Sequence, residues 1–249
     1  MTDYPYYVKE KCYCIFCENY FNEFKEWQKN EGTDFVRNFD IIGTDPRYFQ
    51  CPACGSTDRE RHLYLFLKEI GELDKFENKL ILYVAPEINF LKKIAKPSMN
   101  FICGDLEPEK YLHLNINPFY KIDLTQITFD DATFDYVIAN HILEHIPDYK
   151  KALAEIYRVL KPEGTAILQT PFSSLIYNNF EDFLIDTSSL KEKFYGQNDH
   201  VRIFGLQLFD DIKQAGFHLQ IYNHYEVLPK FQPSIYGLNE KENLILARK

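Results

Sequence analysis

Three short runs that are apolar at every position each end at a turn of polar or acidic residues, and helix-period segments separate them. Leu80-Ile81-Leu82-Tyr83-Val84 leads into Ala85-Pro86-Glu87. Phe101-Ile102-Cys103 leads into Gly104-Asp105-Leu106-Glu107, and Tyr136-Val137-Ile138-Ala139 into Asn140-His141. Unbroken apolar runs suit parallel strands buried on both faces, which need crossover connections between them. Residues 148–161 supply one such helix, with Leu153, Ile156, Tyr157 and Leu160 at i, i+3, i+4, i+7 and Pro162 and Gly164 to stop it. Residues 165–169 read as the next strand, and 207–215 as a helix closed by Gly216. Residues 218–225 and 243–247 read as a final antiparallel pair. The order predicts an α/β sheet of about seven strands with its ligand crevice at the strand ends.

With 249 residues, 45% hydrophobic and 16% aromatic, the chain can bury a full core and carry a small appended module. It has no apolar run of eighteen residues, and MTDYPYYVKEK lacks the basic-then-apolar layout of a signal peptide. The expectation is a soluble cytoplasmic protein with no membrane partner. A net charge of −9 argues against a sequence-independent grip on nucleic-acid phosphates, although it leaves room for a local basic patch.

Five of the six cysteines fall in the first quarter of the chain. Cys14-x-x-Cys17 and Cys51-Pro-Ala-Cys54-Gly55 form two CxxC knuckles with 33 residues between them. In a reducing compartment this layout points to metal before disulfides. Four thiolates so arranged close a tetrahedral Zn²⁺ site and leave no open position, so the expected role is structural. Two alternatives stand beside this: reduced structural cysteines, and Cys12 in place of Cys14. Cys103, in an apolar run, reads as a small buried hydrophobe. Residues 1–60 hold seven Lys and Arg against eleven Asp and Glu, which argues against an RNA-reading role for the module. A cap over the active-site mouth, or over one face of the main domain, fits better.

Residues 58–73 read as a helix with Leu63, Leu65, Phe66, Leu67 and Ile70 on a broad apolar face and Ser56 or Thr57 as its cap. The expected division is a zinc-ribbon module over residues 1–57, a linking helix over 58–77 and a catalytic domain over 78–249.

The same segments, with FDDATFDYVIANHILEH at residues 129–145, Asp123-Leu124-Thr125 and the helix ending in Lys161-Pro162-Glu163-Gly164, resemble the class I S-adenosylmethionine (SAM)-dependent methyltransferases. The resemblance runs from about residue 79 to the C-terminus. Cys51-Pro-Ala-Cys54-Gly55-Ser56-Thr57-Asp58-Arg59-Glu60-Arg61-His62 and the later Gly196-Gln197-Asn198-Asp199-His200-Val201-Arg202 narrow it to a bacterial subgroup with an N-terminal zinc ribbon. Membership implies a Rossmann-like seven-stranded class I methyltransferase sheet, SAM as cofactor, and a small-molecule or glycan acceptor. By that resemblance Ala85, Pro86 and Glu87 form the first loop, with Glu87 toward the α-amino group of SAM. Asp105, beside Leu106, takes the ribose hydroxyls, as an acidic residue does in dinucleotide folds; a plain turn aspartate, or Glu107 in its place, is the alternative. Asp123 falls where family members bind the adenine amino group, with Leu124 against the ring, or else it is a solvated turn. Asn140 and His141 border the cofactor, and His145 packs. One departure is large: the first loop contains no glycine, and alanine takes a positive φ only at a cost.

His200, flanked by Asp199 and Arg202, is the candidate catalytic group. An imidazole tuned by a carboxylate serves as general base if the acceptor is a hydroxyl. The alternative has Asp199 capping the next helix and Arg202 in a structural ion pair. Tyr177, Phe180 and Phe183 suit a lid or substrate wall, or the core of an inserted helix. Two other functions remain open: an rRNA or tRNA methyltransferase, and a non-catalytic SAM-fold binding protein.

Overall fold

The computed structural model describes residues 11–27, 34–114, 116 and 118–249. The sequence expectations for residues 1–10 and 28–33, part of the N-terminal module, lie outside that set. No helix among the described residues is long and apolar enough to cross a membrane.

Seven strands form the central sheet: β1 (Leu80–Val84), β2 (Asn100–Asp105), β3 (Phe119–Lys121), β4 (Phe134–Ile138), β5 (Leu160–Ile167), β6 (His218–Tyr222) and β7 (Leu244–Arg248). Their spatial order is β6-β7-β5-β4-β1-β2-β3. The first five are parallel, whereas β7 runs antiparallel to both β5 and β6. The order reverses between β1 and β4, and a crevice opens at such a switch point beyond the carboxyl ends of the strands.

The strand residues alternate between two cores because side chains have a period of two. Leu82, Val84, Val137 and Ala139 face one layer, with α3 (Tyr149–Val159) and α5 (Gln207–Gln214) packed on it. Ile81, Tyr83, Tyr136 and Ile138 face the other, covered by α1 (Asp58–Glu69) and α2 (Ile88–Ile94). Phe66 and Phe90 are fully buried there, and truncating either to alanine would cost about 3–5 kcal/mol. Helix α1 is therefore a layer of the main domain as well as a link to the N-terminal module. Helix α4 (Ser188–Tyr195) lies outside both layers, beside the short helix Asp34–Arg37.

Three element boundaries differ from the sequence expectation, each for a local reason. Helix α1 stops at Glu69 because Gly71 takes φ +71 and the amides of Ile70, Gly71 and Glu72 close back on the last turn. Helix α3 stops at Val159, and β5 begins at Leu160, which pairs with Phe134; the residue before Pro162 is also restricted to extended backbone. Strand β6 stops at Tyr222 because the Asn223 side chain accepts from the Tyr225 amide and starts a short helix, His224–Val227.

The N-terminal module is joined to the sheet domain at several points. Cys12–Tyr13 pairs with Tyr20–Phe21 inside the module, while Ile41–Ile42 pairs with Phe172–Ser173 of the main domain. Arg61, on α1, is fully buried. Its guanidinium donates to the carbonyls of Ser56, Tyr48, Tyr236 and Gly237 and lies 4.3 Å from the Phe24 ring centroid.

Candidate active site

At the switch point a cavity of about 510 Å³ lies beyond the ends of β1, β2 and β4, within the size range of small-molecule sites. Ala85, Asp105, Leu106, Asp123, Leu124 and His141 all line it, together with Ile142, His145 and Asp199. Six of the nine residues expected to hold the cofactor therefore line one cavity. Pro86, Glu87 and Asn140 do not reach it. Glu87 is held by Arg59 at 2.6 Å, and Asn140 Oδ1 accepts from the Gln169 amide at 3.3 Å.

Backbone strain marks both sides of this cavity. Ala85 adopts φ +46 and His141 φ +51. The Ala85 amide is tied to the Gly104 carbonyl at 2.8 Å and the His141 amide to the Gln169 carbonyl at 2.6 Å. The loop without glycine thus takes the left-handed conformation that glycine would take freely, a strain that proteins concentrate at functional sites. Glycine is required at position 104 instead, where a Cβ would sit 2.5 Å from the Tyr120 carbonyl oxygen.

Both acidic candidates are oriented by their own turns. Asp105 Oδ1 accepts from the Glu107 amide at 2.8 Å, and Oδ2 from the Tyr111 hydroxyl at 3.2 Å. Asp123 Oδ1 accepts from the amide and the hydroxyl of Thr125 at 2.8 and 2.7 Å. Each carboxylate keeps lone pairs for a ligand, and Leu124 is buried beside the second.

A second cavity, about 310 Å³, adjoins the first, and His141, His145 and Asp199 line both. The N-terminal module supplies Trp27, Val36, Ile41 and Thr44 to its wall. The opposite wall follows α4, whose end at Gly196 (φ +90) turns the chain back so that Gln197, Asp199 and His200 cross the cavity. His200 Nδ1 lies 3.3 Å from the Tyr195 carbonyl oxygen. That oxygen only accepts, so the ring proton sits on Nδ1 and the lone pair on Nε2. Burial and the neighbouring His145 lower the His200 pKa to about 4, which keeps the ring neutral at neutral pH. Burial and Arg59 lower His141 to about 3, and its Nε2 meets Glu242 at 2.9 Å.

The two alternatives for the flanking residues separate cleanly. Asp199 caps no helix, since Leu206 holds the N-cap of α5; it lies 3.4 Å from His145 Nδ1. Arg202 is 3% exposed. It donates to Glu181 at 2.6 Å and to the carbonyls of Leu143, Ile146 and Pro147, and it stacks over Tyr149. Arg202 is the ion-paired anchor of the segment that carries His145. Of the aromatic residues considered for a lid, Phe180 packs with Phe35, Phe39 and Tyr195, whereas Tyr177 and Phe183 are exposed, and no helix is inserted there.

Two residues exceed what the sequence reading assigned. The resemblance implied packing for His145, but its ring lines both cavities. Glu144 had no role, yet it is buried on the second cavity wall with Oε2 unpartnered, and burial raises its pKa to about 8. The signal available was position: Glu144-His145 lies six residues past the end of the central strand at Ile138.

In the N-terminal module the four CxxC thiols converge. Cys14 Sγ is 3.7 Å from Cys54 Sγ, and Cys17 Sγ is 3.8 Å from Cys51 Sγ. All four donor atoms lie within 4.8 Å of one another. A tetrahedron of Zn–S bonds of about 2.3 Å has edges of about 3.8 Å, so the set fits Zn²⁺. Cys12 stands apart, against the Asn22 and Ser234 carbonyls. Burial raises the Cys51 thiol to about 12, whereas Cys14, although burial opposes it, is lowered to about 7 by Ser56 and nearby backbone amides. Cys103 is buried, and burial raises it to about 11.

Comparison with known proteins agrees with the fold. Residues 89–168 match a family described as a methyltransferase domain. The chain is 39% identical to demethylmenaquinone methyltransferase of Staphylococcus epidermidis over 69 residues, covering 25% of this chain and 29% of that protein. It is 40% identical to a sterol 4-C-methyltransferase of Caenorhabditis elegans over 68 residues, 26% and 20% of the two chains. The aligned parts thus span less than a third of either relative. An S-adenosylmethionine-dependent methyltransferase from Mesorhizobium loti superposes with a TM-score of 0.50 at 11% identity, over 73% of this chain and 96% of the other. The β6-β7-β5-β4-β1-β2-β3 sheet has the fold of the class I SAM-dependent methyltransferases, and residues 89–168 within it match a methyltransferase domain.

Proposed function

We propose that this protein transfers the methyl group of SAM to a hydroxyl of a small molecule or glycan, with structural zinc in its N-terminal module. The observation that carries the reading is the junction of two cavities at His141, His145 and Asp199. One cavity has the acidic and apolar residues a nucleoside needs, and the other has room for an acceptor beside it. In-line displacement needs the acceptor atom held about 3–3.5 Å from the methyl carbon, so alignment supplies most of the catalysis. The oxygen lone pair forms the new C–O bond, while the C–S bond breaks and leaves its pair on sulfur. The hydroxyl proton leaves toward the polar cluster where His200 Nε2 has its free lone pair.

In this reading His200 is the catalytic group, Asp199 positions His145, and Arg202 positions the chain around it. Ala85, Asp105, Leu106, Asp123, Leu124 and His141 contact SAM, while Pro86, Glu87 and Asn140 support that loop from behind. The polar wall of Thr44, Gln197, Asp199 and His200 favours a hydroxylated acceptor over an apolar one. Both arginines on the second cavity are already paired, Arg59 with Glu87 and Arg202 with Glu181, which disfavours a nucleic-acid phosphate. Cys14, Cys17, Cys51 and Cys54 hold the zinc.

Calorimetric titration with S-adenosylhomocysteine tests the first half of the proposal, and transfer of label from methyl-labelled SAM to a panel of sugars and small alcohols tests the second. Binding with transfer to a hydroxyl is expected. Absence of binding at millimolar ligand would instead favour a protein that keeps the fold without the cofactor.

A further inference from the structure

We infer that Glu144, His145 and His200 form a second metal site, for a divalent first-row transition ion, at the junction of the two cavities. Their three donor atoms lie within 4.8 Å of one another. Glu144 and His200 line the acceptor cavity, and His145 lines both cavities.

Three independent details fit a ligand set better than ordinary packing. First, both histidines turn Nδ1 to an oxygen, His145 to Asp199 at 3.4 Å and His200 to the Tyr195 carbonyl at 3.3 Å. Metal-bound imidazoles are held by such partners, which fix the tautomer and leave Nε2 for the ion. His145 Nε2 accordingly faces Glu144 Oε1 at 3.9 Å, too far for a hydrogen bond. Second, Glu144 is 2% exposed, and its Oε2 is buried without a hydrogen-bond partner. A buried carboxylate oxygen of that kind needs a cation or a donor. Third, Asp199 stands 3.4 Å from His145, and both arginines on this cavity are already paired, Arg59 with Glu87 and Arg202 with Glu181. The local charge balance has room for a divalent ion.

Two imidazoles with one carboxylate suit Mn²⁺, Fe²⁺ or Zn²⁺ better than Mg²⁺ or Ca²⁺, which prefer all-oxygen sets. Three protein ligands leave coordination positions open, unlike the closed four-cysteine set. The inference deepens the methyl-transfer reading and rests on it. An acceptor hydroxyl bound at an open position would lose its proton more readily, the proton passing to water at the cavity mouth. His200 would then act as a ligand rather than by direct proton transfer.

The test is electron paramagnetic resonance titration of the zinc-replete protein with Mn²⁺, an ion that thiolates do not favour. S-adenosylhomocysteine affinity is measured alongside as a check on the fold and on the cofactor site. Wild-type protein should bind one equivalent of Mn²⁺ saturably. Glu144→Gln and His200→Ala should abolish binding, and Asp199→Asn, an exposed partner of His145, should weaken it by about 10–100-fold. S-adenosylhomocysteine binding should persist in all three. Should the buried substitutions unfold the chain, Asp199→Asn still decides the matter. No saturable Mn²⁺ binding by wild-type protein that does bind S-adenosylhomocysteine would overturn the metal site and leave the methyltransferase reading intact. So would Mn²⁺ affinity unchanged in Asp199→Asn. Loss of S-adenosylhomocysteine binding in the wild type would count against the methyltransferase reading instead.

Discussion

At the scale of single residues, the candidate cofactor wall depends on short side chains that their own turns hold in place. Asp105 spends one oxygen on the Glu107 amide and the other on Tyr111, so its carboxylate is oriented before any ligand arrives. Asp105→Ala would remove a charged acceptor and is expected to weaken S-adenosylhomocysteine binding by about 1.5–3 kcal/mol, read by calorimetry. An unchanged dissociation constant would show that the ribose lies elsewhere. The amino-acid order marked Asp105 and His141 because each stands at or just past the end of an apolar run, where direction is set by the strand itself. Asp123 instead follows the short strand β3, which has no apolar run, and rests on the family resemblance alone. Glu87 stands at a strand end too, but its fate depended on Arg59, which arrives from α1, 28 residues earlier. Glu144 and His145 were hidden for a similar reason. The three-residue 3₁₀ turn Leu143–His145 aims both side chains, and no periodicity shows in so short a piece.

At the scale of elements, two acidic side chains set where helices and strands begin. Thr57 and Glu60 form a capping box at the start of α1, and Glu60 Oε1 also accepts from the Asn89 and Phe90 amides at the start of α2. Thr57→Ala should cost about 1 kcal/mol. Glu60→Ala loses caps on two helices and should cost at least twice that in chemical denaturation. Equal losses would mean that the contact with α2 contributes nothing. Asp135, in β4, accepts from the Leu80 amide and pairs with Lys79 and Lys161. Burial opposes its ionisation, but the Lys161, Leu80 and Lys79 hydrogen bonds win and lower its pKa below 3.8. A lowered carboxylate stabilises the fold above its unfolded pKa and loses that contribution as pH falls through the folded value. Asp135→Asn should therefore destabilise the protein by about 1 kcal/mol at neutral pH. The difference from wild type should shrink as acid unfolding proceeds below pH 4. The apolar runs and helix periods disclosed most strands and the helices α1, α3 and α5 because the sheet is buried on both faces, but β3, α2 and α4, three to eight residues long, carry no such pattern. The boundaries at Glu69 and Tyr222 escaped, since Gly71 and Asn223 act through backbone angle and capping rather than through hydrophobic pattern.

At the scale of the whole molecule, the N-terminal module bears on the two cavities unequally. Among the described residues it contributes Trp27, Val36, Ile41 and Thr44 to the 310 Å³ cavity and none to the 510 Å³ cavity. Its hold on the sheet domain runs through Arg61, the pairing of Ile41–Ile42 with Phe172–Ser173, and the Asn239 side chain donating to the Gly43 carbonyl. The cysteine cluster is only a few residues from Tyr48 and Ser56, whose carbonyls Arg61 binds. Metal binding in a site of this kind is coupled to local folding, because the ligands converge only in the folded module. The purified protein should carry about one Zn²⁺ in this site. Cys51→Ser, or removal of the ion with a strong chelator, should loosen the module and the wall it supplies. Methyl transfer should then fall by at least about tenfold, a loss of about 1.4 kcal/mol in transition-state stabilisation, while S-adenosylhomocysteine affinity changes by much less. That asymmetry is the diagnostic result. A proportional loss of both would mean that the module stabilises the entire sheet domain, and full retention of both would mean that it takes no part in holding the acceptor.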